Sequence, residues 1–168
     1  LKHRSEIHQI YKGTKKFKDA DGYYHWALDQ NGLLDDTLVT SSCSLELSRR
    51  AYNKICELIQ DEEFIDHNII ISNTKLNSNK FDRGGINRSR FSMDSYYPIL
   101  CDSGTKEDAN KILNKFYVDG LGIKCVEEEP WVTFAESSEC IMALHKVGLK
   151  KEATKIFDEV LKLSLIHI

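Results

Sequence analysis

Two similar stretches of sequence decide the fold of this 168-residue chain: GTKEDANKILNKFYV at 104–118 and GLKKEATKIFDEVLK at 148–162. A shift of 44 residues superposes Gly104 on Gly148 and matches lysines, an alanine and an isoleucine that follow. In both places an apolar, weakly charged segment precedes the glycine, and a Lys-rich amphipathic segment follows it. The repeat predicts two helical hairpins, each with its glycine at the C′ position after the first helix.

The two helices of each predicted hairpin face different surroundings. Residues 150–162 have a charged face and one apolar stripe, as in a surface helix. The stripe consists of Ala153, Ile156, Phe157, Val160 and Leu161. Residues 132–147 are apolar nearly all round, so this helix should be covered on both sides. Inner helices ringed by outer helices describe an all-α fold, the α/α toroid, and we expect a fragment of about three hairpins here.

The predicted toroid domain begins before these two hairpins. Apolar residues recur at helical spacing from Leu45 to Ile59, behind the hydroxyl-rich stretch Thr40–Ser42. This pattern predicts a helix of about five turns with a hydroxyl N-cap. A second apolar-periodic segment covers 62–71, and a long polar, basic loop follows it.

Three parts are therefore expected along the chain. Residues 1–36 form a loop-rich N-terminal segment with one short strand and a turn signal at Asn31-Gly32. Residues 37–163 form the partial toroid domain. Residues 164–168 follow a charged helical pattern without a capping residue, and we expect them to be a non-native tail.

The composition narrows the classes of function. Apolar residues make up 41% of the chain and charged residues 29%, as in ordinary globular proteins. No apolar run is long enough to span a bilayer, so no membrane span is predicted. A formal net charge of -3 without a basic stripe argues against nucleic-acid binding.

The five cysteines, at positions 43, 56, 101, 125 and 140, form an odd set without Cys-x-x-Cys spacing. They lie mostly in apolar or helical patterns, which predicts buried, reduced thiols and a cytoplasmic location. Cys125, Cys140 and His145 lack the spacing of zinc ligands. Neither a metal nor another cofactor is predicted.

The stretch RFSMDSYYPIL at 90–100 indicates the start of an inner helix. Asp94 is expected to cap that helix, and Pro98 suits its first turn. Tyr96 and Tyr97 are candidates for the wall of a cavity at the ring centre, where helix N-termini present unpaired N–H groups. An alternative explains the same residues without a ligand, with Asp94 as a plain N-cap and both tyrosines in the core.

The stretch PWVTFAESSECIMAL at 130–144 repeats this arrangement. Trp131 stands before the helix, and Thr133 is a candidate N-cap. Glu136 and Glu139 are three residues apart and share a face. Two carboxylates on a buried helix must be paired, hydrogen-bonded or turned to a water-filled cavity, so they are candidates for a general acid or base, or for hydroxyl acceptors. The alternative is a capping glutamate and a structural salt bridge.

Two loops add further candidates. An aromatic-acidic loop suits the wall of a sugar site, although turn chemistry explains it equally well; its side chains are Asp21, His25, Trp26 and Asp29. A basic loop around Gly84-Gly85 has the composition of a phosphate grip; its cations are Lys75, Lys80, Arg83, Arg88 and Arg90. The alternative is a solvated loop in which Arg90 pairs with a neighbouring acid.

Three stretches carry a family resemblance: DTLVTSSCSLELSRRAY at 36–52, SRFSMDSYYPIL at 89–100 and GLGIKCVEEEPWVTFAESSECIMALHKVG at 120–148. They resemble a bacterial and archaeal family usually labelled prenyltransferase-like or squalene-cyclase-repeat-like. The resemblance covers roughly residues 21–162. It implies an α/α toroid that is similar in architecture to the six-hairpin glycosidases.

The chain departs from that family in ways that bear on its chemistry. The commonest form of the family has Trp where this chain has Ser95, so one aromatic wall position is lost. The aspartate-rich signature of terpene cyclases is absent, and so is the Asp, Cys and His zinc set of protein prenyltransferases. The family label therefore implies a fold without specifying a reaction.

Three functions follow, and the sequence leaves open whether the protein is an enzyme. The first is a toroid whose aromatic-acidic cavity binds or processes a carbohydrate or glycoconjugate, with Asp94 and Glu136 as catalytic carboxylates. Its other ligand contacts would be Tyr96, Tyr97, Trp131, Glu139, Trp26 and Arg90. The second is an isoprenoid-processing toroid in which aromatic faces stabilise a carbocation and the basic loop receives a pyrophosphate. The third is a non-catalytic helical scaffold.

Overall fold

The computed structural model describes residues 2–72, 76, 78–82 and 84–166. Among these residues, regular structure is helical apart from two antiparallel pairs of two-residue strands, so the predicted all-α class is confirmed. The chain divides into two compact units, Leu1–Ile86 and Asn87–Ile168. The domain boundaries expected after residues 36 and 163 stay predictions. No helix in the described ranges is long and apolar enough to cross a membrane.

The first unit begins with a helix that the sequence analysis did not predict. α1 (Arg4–Thr14) continues into a 3₁₀ turn at Lys15–Phe17, within the segment expected to be loop-rich. Its buried surface is small and centres on Tyr11, with Ile7 one turn earlier. The residues packed against them are Tyr52, Cys56 and Ile65. Two apolar residues among many charges give too weak a periodicity to identify a helix from sequence.

The predicted short strand and turn of this segment are present. β1 (Leu28–Asp29) and β2 (Gly32–Leu33) form an antiparallel hairpin. Gly32 has a φ of 124°, a backbone conformation that glycine adopts without steric cost. The Asn31-Gly32 turn signal is therefore confirmed.

α2 (Val39–Leu58) has 20 residues and confirms the predicted helix of about five turns. Its predicted cap is wrong. The N-cap is Leu38, and no side chain makes a capping hydrogen bond there. Thr40–Ser42 lie inside the helix instead, and Ser42 is buried.

The segment after α2 does not form the second periodic element that its spacing indicated. Only Glu62–Phe64 forms a 3₁₀ turn, and no helix or strand follows as far as Ser72. Asn53 of α2 exchanges two hydrogen bonds of 2.9 Å with the backbone of Asp66. Arg49 Nη1 donates to the same Asp66 carbonyl at 2.6 Å. Side chains of α2 thus satisfy backbone groups that a helix would have paired internally.

The second unit contains the two predicted helical hairpins. Its helices, in chain order, are α3 (Ser92–Leu100), α4 (Lys106–Phe116), α5 (Phe134–Lys146) and α6 (Lys150–Ile166). Between α4 and α5, β3 (Tyr117–Val118) and β4 (Gly122–Ile123) pair antiparallel. α4 begins with a capping box formed by Thr105 and Asp108.

All four helices contribute to one apolar core. Its wholly buried members include Tyr96 from α3, Phe116 from α4, Leu144 from α5 and Ile156 from α6. The cysteines follow the prediction made for them: all five are free thiols, and four are buried. Burial raises the pKa of the Cys140 thiol to about 12, so this thiol stays protonated.

The two hairpins end their first helices differently, and the predicted role of Gly104 is wrong. α5 ends as expected, because Gly148 has a φ of 82° and the hydrogen bonds follow the Schellman pattern. In α3 the left-handed residue is Asp102, with a φ of 62°. Gly104 lies two residues later, where a Cβ would meet Ile99 Cγ1 at 2.5 Å. Close packing, and not the helix end, requires glycine at 104.

α3 and α5 run side by side in the same direction. Phe91, just before α3, and Val132, just before α5, both form β-bridges to the segment 124–126. At the other end, Lys146 of α5 forms an ion pair of 2.8 Å with Asp102, just after α3. Parallel neighbouring inner helices are what a toroid requires. Closure of a ring by further hairpins stays a proposal.

The prediction that 132–147 is covered on both sides is wrong for the residues that the structure describes. One face of α5 is buried through Ser137, Cys140, Ala143 and Leu144. On its other face, Phe134 and Met142 are 49% and 62% exposed. α6 is a surface helix as predicted, although Phe157 and Leu161 of its stripe are exposed. An apolar pattern shows which side chains can be buried, and the neighbouring elements decide which are.

Candidate functional site

The first turns of α3 and α5 bring two candidate carboxylates to the same end of the helix pair. Asp94 is the third residue of α3, and Glu136 is the third residue of α5. Cys125 lies beside both turns, because its carbonyl accepts from the N–H of Ser92 at 3.0 Å and its thiol interacts with Glu136. The N-terminal ends of two parallel helices, with the positive ends of their dipoles, therefore lie at the same end of the pair as these acids.

Asp94 does not cap α3 as predicted. The N-cap is Phe91, and Asp94 lies within the first turn with only 3% of its surface exposed. Pro98 is not in the first turn either. It is the seventh residue of the helix, where it has no N–H to donate to the carbonyl of Asp94. α3 therefore begins earlier, at Ser92, than expected from a proline in the first turn.

Glu136 follows a cap that the sequence analysis identified. Thr133 Oγ1 accepts from the N–H of Glu136 at 3.2 Å, so Thr133 is confirmed as the N-cap of α5. The Glu136 residue is half-buried. Burial raises the pKa of the Cys125 thiol, and the Glu136 carboxylate raises it further. The thiol stays protonated and is available as a weak donor to Glu136.

Glu139, one turn further along α5, is held by both adjacent tyrosines of α3. Tyr96 donates to Glu139 Oε2 at 2.7 Å, and Tyr97 donates to Glu139 Oε1 at 2.9 Å. Burial raises the pKa of the Tyr96 phenol well above its usual value, and the carboxylates of Glu139 and Glu136 add to the rise. Tyr96 therefore remains a hydrogen-bond donor. We call these three residues the tyrosine–glutamate cluster.

All three residues of this cluster are site candidates from sequence, but their contact was not predicted. Tyr96 is wholly buried and its ring packs in the core, whereas Tyr97 is half-buried. A signal was available in a 42-residue shift that aligns the two acids, two residues short of the 44-residue repeat of the following helices. Asp94 and Glu136 hold the same position in parallel helices, and three residues later come Tyr97 and Glu139. Equivalent positions of adjacent parallel helices lie at the same height, so these side chains meet.

A second phenol–carboxylate group lies at the junction of β3 and α6. The Tyr117 hydroxyl is 2.8 Å from Glu159 Oε1 and 2.9 Å from Asp119 Oδ1. Lys155 Nζ lies 2.7 Å from the same Asp119 oxygen and offsets its charge. Glu139 differs, because its hydrogen bonds within the described part of the chain come from phenols and not from Lys, Arg or His.

The other candidates of the second unit lie at its surface. Trp131, which precedes α5, is 62% exposed. Arg90 Nε donates to both carboxylate oxygens of Glu128, at 2.9 and 3.1 Å. This is the alternative in which Arg90 pairs with a neighbouring acid. Part of the hydrogen-bonding capacity of the guanidinium is therefore used by Glu128.

Trp26 belongs to the first unit, where it is largely exposed. Asp29 accepts from the N–H of Asn31 at 2.7 Å, which is the turn chemistry of the alternative explanation. Lys80 of the basic loop pairs with Asp21. Two other cations of that loop, Lys75 and Arg83, lie outside the described residues. Within the ranges the structure describes, no group of three His, Cys, Asp or Glu side chains could hold a metal ion.

The helical hairpins place the chain in the all-α class, and comparison with known proteins adds a more particular likeness. No family model matches the chain. The chain is 30% identical over 131 residues, 76% of its length, to the MMP endo-(1,4)-3-O-methyl-alpha-D-mannosidase of Mycolicibacterium hassiacum. It spans 36% of that protein's length. This likeness fits a glycosidase-like helical fold, whereas no family model supports the prenyltransferase or squalene-cyclase label.

Proposed function

We propose that this chain is part of a carbohydrate-processing protein with an α/α-toroid fold. In this proposal the first turns of α3 and α5 form part of the wall of a cavity for a glycan. The observation that carries it is that Asp94, Glu136 and Glu139 lie on these two parallel helices. The chain is also similar over most of its length to a mannosidase. A match of this length necessarily includes the middle of the chain, and with it α3.

Glycosidic bond cleavage commonly uses two carboxyl groups, one as general acid and one as base or nucleophile. We assign these roles to Glu136 and Asp94, which occupy the same third position of α5 and α3. Glu136 is half-buried, so it is the carboxyl group with access to a substrate. Asp94 is only 3% exposed and takes the second role, as the base or nucleophile.

Glu139 suits a different task, the recognition of sugar hydroxyls. A carboxylate offers about four lone-pair sites, and the two tyrosines occupy two of them. The remaining sites can accept from substrate hydroxyls without any loss of orientation, because the phenols already fix the carboxylate. Tyr96 and Tyr97 are thus positioning residues in this proposal. Trp131 supplies an exposed aromatic face for the sugar ring, and Arg90 stays a proposed ligand contact. Trp26 belongs to the first unit, and its predicted role in ligand binding stays a prediction.

The test is an assay with α-(1,4)-linked mannooligosaccharides, with and without 3-O-methyl groups. We expect cleavage by the protein and a loss of about 10²–10⁴ in turnover for Glu136→Gln, because general acid–base catalysis contributes that much. Glu159→Gln is the matched control: the same substitution in the same unit, at the Tyr117 group. We expect it to retain turnover.

Each of the following outcomes contradicts the proposal, provided that circular dichroism shows the folded helical protein. One is the absence of both binding and cleavage for every mannooligosaccharide in the set. Another is cleavage that Glu136→Gln and Asp94→Asn leave unchanged. Binding of an isoprenyl diphosphate without any binding of a mannooligosaccharide also contradicts it and favours the isoprenoid hypothesis.

A further inference from the structure

The first unit contains a cleft that none of the predicted site residues lines. It lies between α1 and the segment 63–68, and its volume is about 1130 Å³. Pockets that bind small molecules commonly measure a few hundred to about 1,000 Å³, so the cleft has room for an oligosaccharide. Tyr11 and Tyr52 lie at its base with their rings stacked at 3.9 Å.

One wall of the cleft is aromatic. The ring of Phe64 stacks on the imidazole of His8, with centroids 4.0 Å apart. His8 is fixed in turn, since Nδ1 lies 2.9 Å from the Tyr52 hydroxyl and Nε2 lies 3.0 Å from Asp61. Phe64 is itself 41% exposed. A rigid, partly exposed aromatic ring beside a polar cleft is a suitable surface for the C–H face of a sugar.

Several charges at the cleft are already paired. Arg4 makes a two-pronged contact with Asp61, and Lys15 lies 3.1 Å from Asp66. Asp66 also accepts from Asn68 and Tyr11. Burial raises the pKa of Asp66, but the hydrogen bonds from Asn68 and the contact with Lys15 outweigh it and lower the pKa to about 2. A highly charged ligand would therefore have to compete with ion pairs that are already formed.

The exposed rim offers a mixture of donors and acceptors instead. Amide groups come from Gln9 and Asn68, an ammonium from Lys12, a carboxylate from Glu63 and an imidazole from His67. Each sugar hydroxyl both donates and accepts, so a polyol can use both kinds of partner at once. No single sign of charge dominates these side chains.

We propose that this cleft is a binding site for a neutral oligosaccharide, with Phe64 as its stacking surface. The inference goes beyond the catalytic proposal and does not depend on it, because it rests only on the chemistry of residues 4–68. The first unit would then hold glycan whether or not Glu136 cleaves it.

The experiment titrates the Glu136→Gln protein with α-(1,4)-mannotetraose, so that the probe is not consumed. Backbone amide NMR of residues 64–68 reports on the cleft, and inorganic phosphate serves as the anionic comparator. We expect saturable shifts with the sugar, no comparable shifts with phosphate, and affinity about fivefold to tenfold weaker for Phe64→Ala because a stacked aromatic contact is lost. Ile69→Ala, a truncation of a neighbouring exposed side chain outside the cleft, should leave the affinity unchanged.

Several results would overturn the inference while leaving the catalytic proposal intact. They are the absence of sugar-induced shifts at residues 64–68, shifts with phosphate alone, or equal losses of affinity for Phe64→Ala and Ile69→Ala. Gln9→Ala provides a second probe, because Gln9 is exposed on α1 and its truncation does not disturb the stacked rings. It should also weaken the shifts, and unchanged binding of this variant counts against the proposed rim.

Discussion

Two buried carboxylates of the first unit, Glu46 and Asp66, are paired with cations, whereas Glu139 of the second unit is held by phenols. Glu46, which is almost wholly buried, accepts from Arg49 and Arg50 at 2.8 to 3.0 Å. Asp66 pairs with Lys15 in the same way. Glu139 has only Tyr96 and Tyr97 among the contacts that the structure describes for it. The difference separates buried carboxylates that have a cation as partner from one whose described hydrogen bonds come only from neutral donors.

The physical consequences of the two arrangements differ. Removal of one partner from a buried ion pair leaves the other charge without compensation and costs about 3–5 kcal/mol. A neutral phenol that loses its carboxylate partner is left with a smaller penalty, about 1–3 kcal/mol. The same Glu→Gln change therefore tests the comparison directly in both units.

Glu46→Gln should have the largest effect on stability. The change removes the negative charge that two guanidinium groups share and replaces one of the two acceptor oxygens with an NH2 donor, so we expect a loss of about 3–5 kcal/mol in the free energy of unfolding. Urea unfolding monitored by circular dichroism measures it. Glu139→Gln is the matched variant in the second unit and should lose clearly less. Equal losses of stability for the two variants would contradict the distinction between carboxylates paired with cations and a carboxylate held by phenols.

The second largest effect is expected from acid, which should remove the contribution of Asp66 to the free energy of unfolding. Hydrogen bonds and Lys15 lower the pKa of Asp66 from 3.8 to about 2 in the folded state. Its contribution of about 2 kcal/mol is thus fully present above pH 4 and disappears as the pH falls towards 2. Urea unfolding of wild type and Asp66→Asn between pH 5 and pH 2 tests this. The stability difference between the two proteins should shrink as the pH falls, and a constant difference would refute the assignment.

Tyr96→Phe should cost about 1–2 kcal/mol, because it removes one buried donor to Glu139. Tyr97→Phe should cost less, since Tyr97 is half-buried and water can replace its hydroxyl. A double-mutant cycle of Tyr96→Phe with Glu139→Gln measures the coupling between the two groups. Strictly additive losses would mean that the hydrogen bond of 2.7 Å contributes nothing.

The smallest effect is expected at the Tyr117 group, where Lys155 is more than half exposed. Lys155→Met removes the cation beside Asp119 and should change the free energy of unfolding by less than about 1 kcal/mol, as for other exposed ion pairs. Thermal unfolding at low and at high salt provides the measurement. A loss as large as that of Glu46→Gln would show that solvent exposure does not determine how much these ion pairs contribute to stability.

Several elements were predictable from local sequence. α2 follows from helical spacing, the two hairpins follow from the 104–118 and 148–162 repeat, and Thr133 is recognisable as a cap. α1 was missed because its stability depends on Tyr11 reaching Tyr52, a contact distant in sequence. Asp102 was missed because aspartate adopts a left-handed conformation only in a particular context.

The candidate site also has features that were predictable from sequence and features that were not. Sequence identified Asp94, Glu136 and Glu139 as acids on inner helices, since carboxylates in apolar patterns stand out on their own. It did not identify the contact of Glu139 with Tyr96 and Tyr97, because that depends on how α3 and α5 lie against each other.

The sequence by itself determined the all-α class, the repeated hairpins and the residue types available for chemistry, because periodicity and composition are local properties of the chain. Tertiary structure alone decided which carboxylates meet cations and which meet phenols. It also decided that one face of α5 is left exposed among the described residues. The physical reason is that burial and hydrogen bonding depend on neighbours in space, and the parallel packing of two helices sets those neighbours.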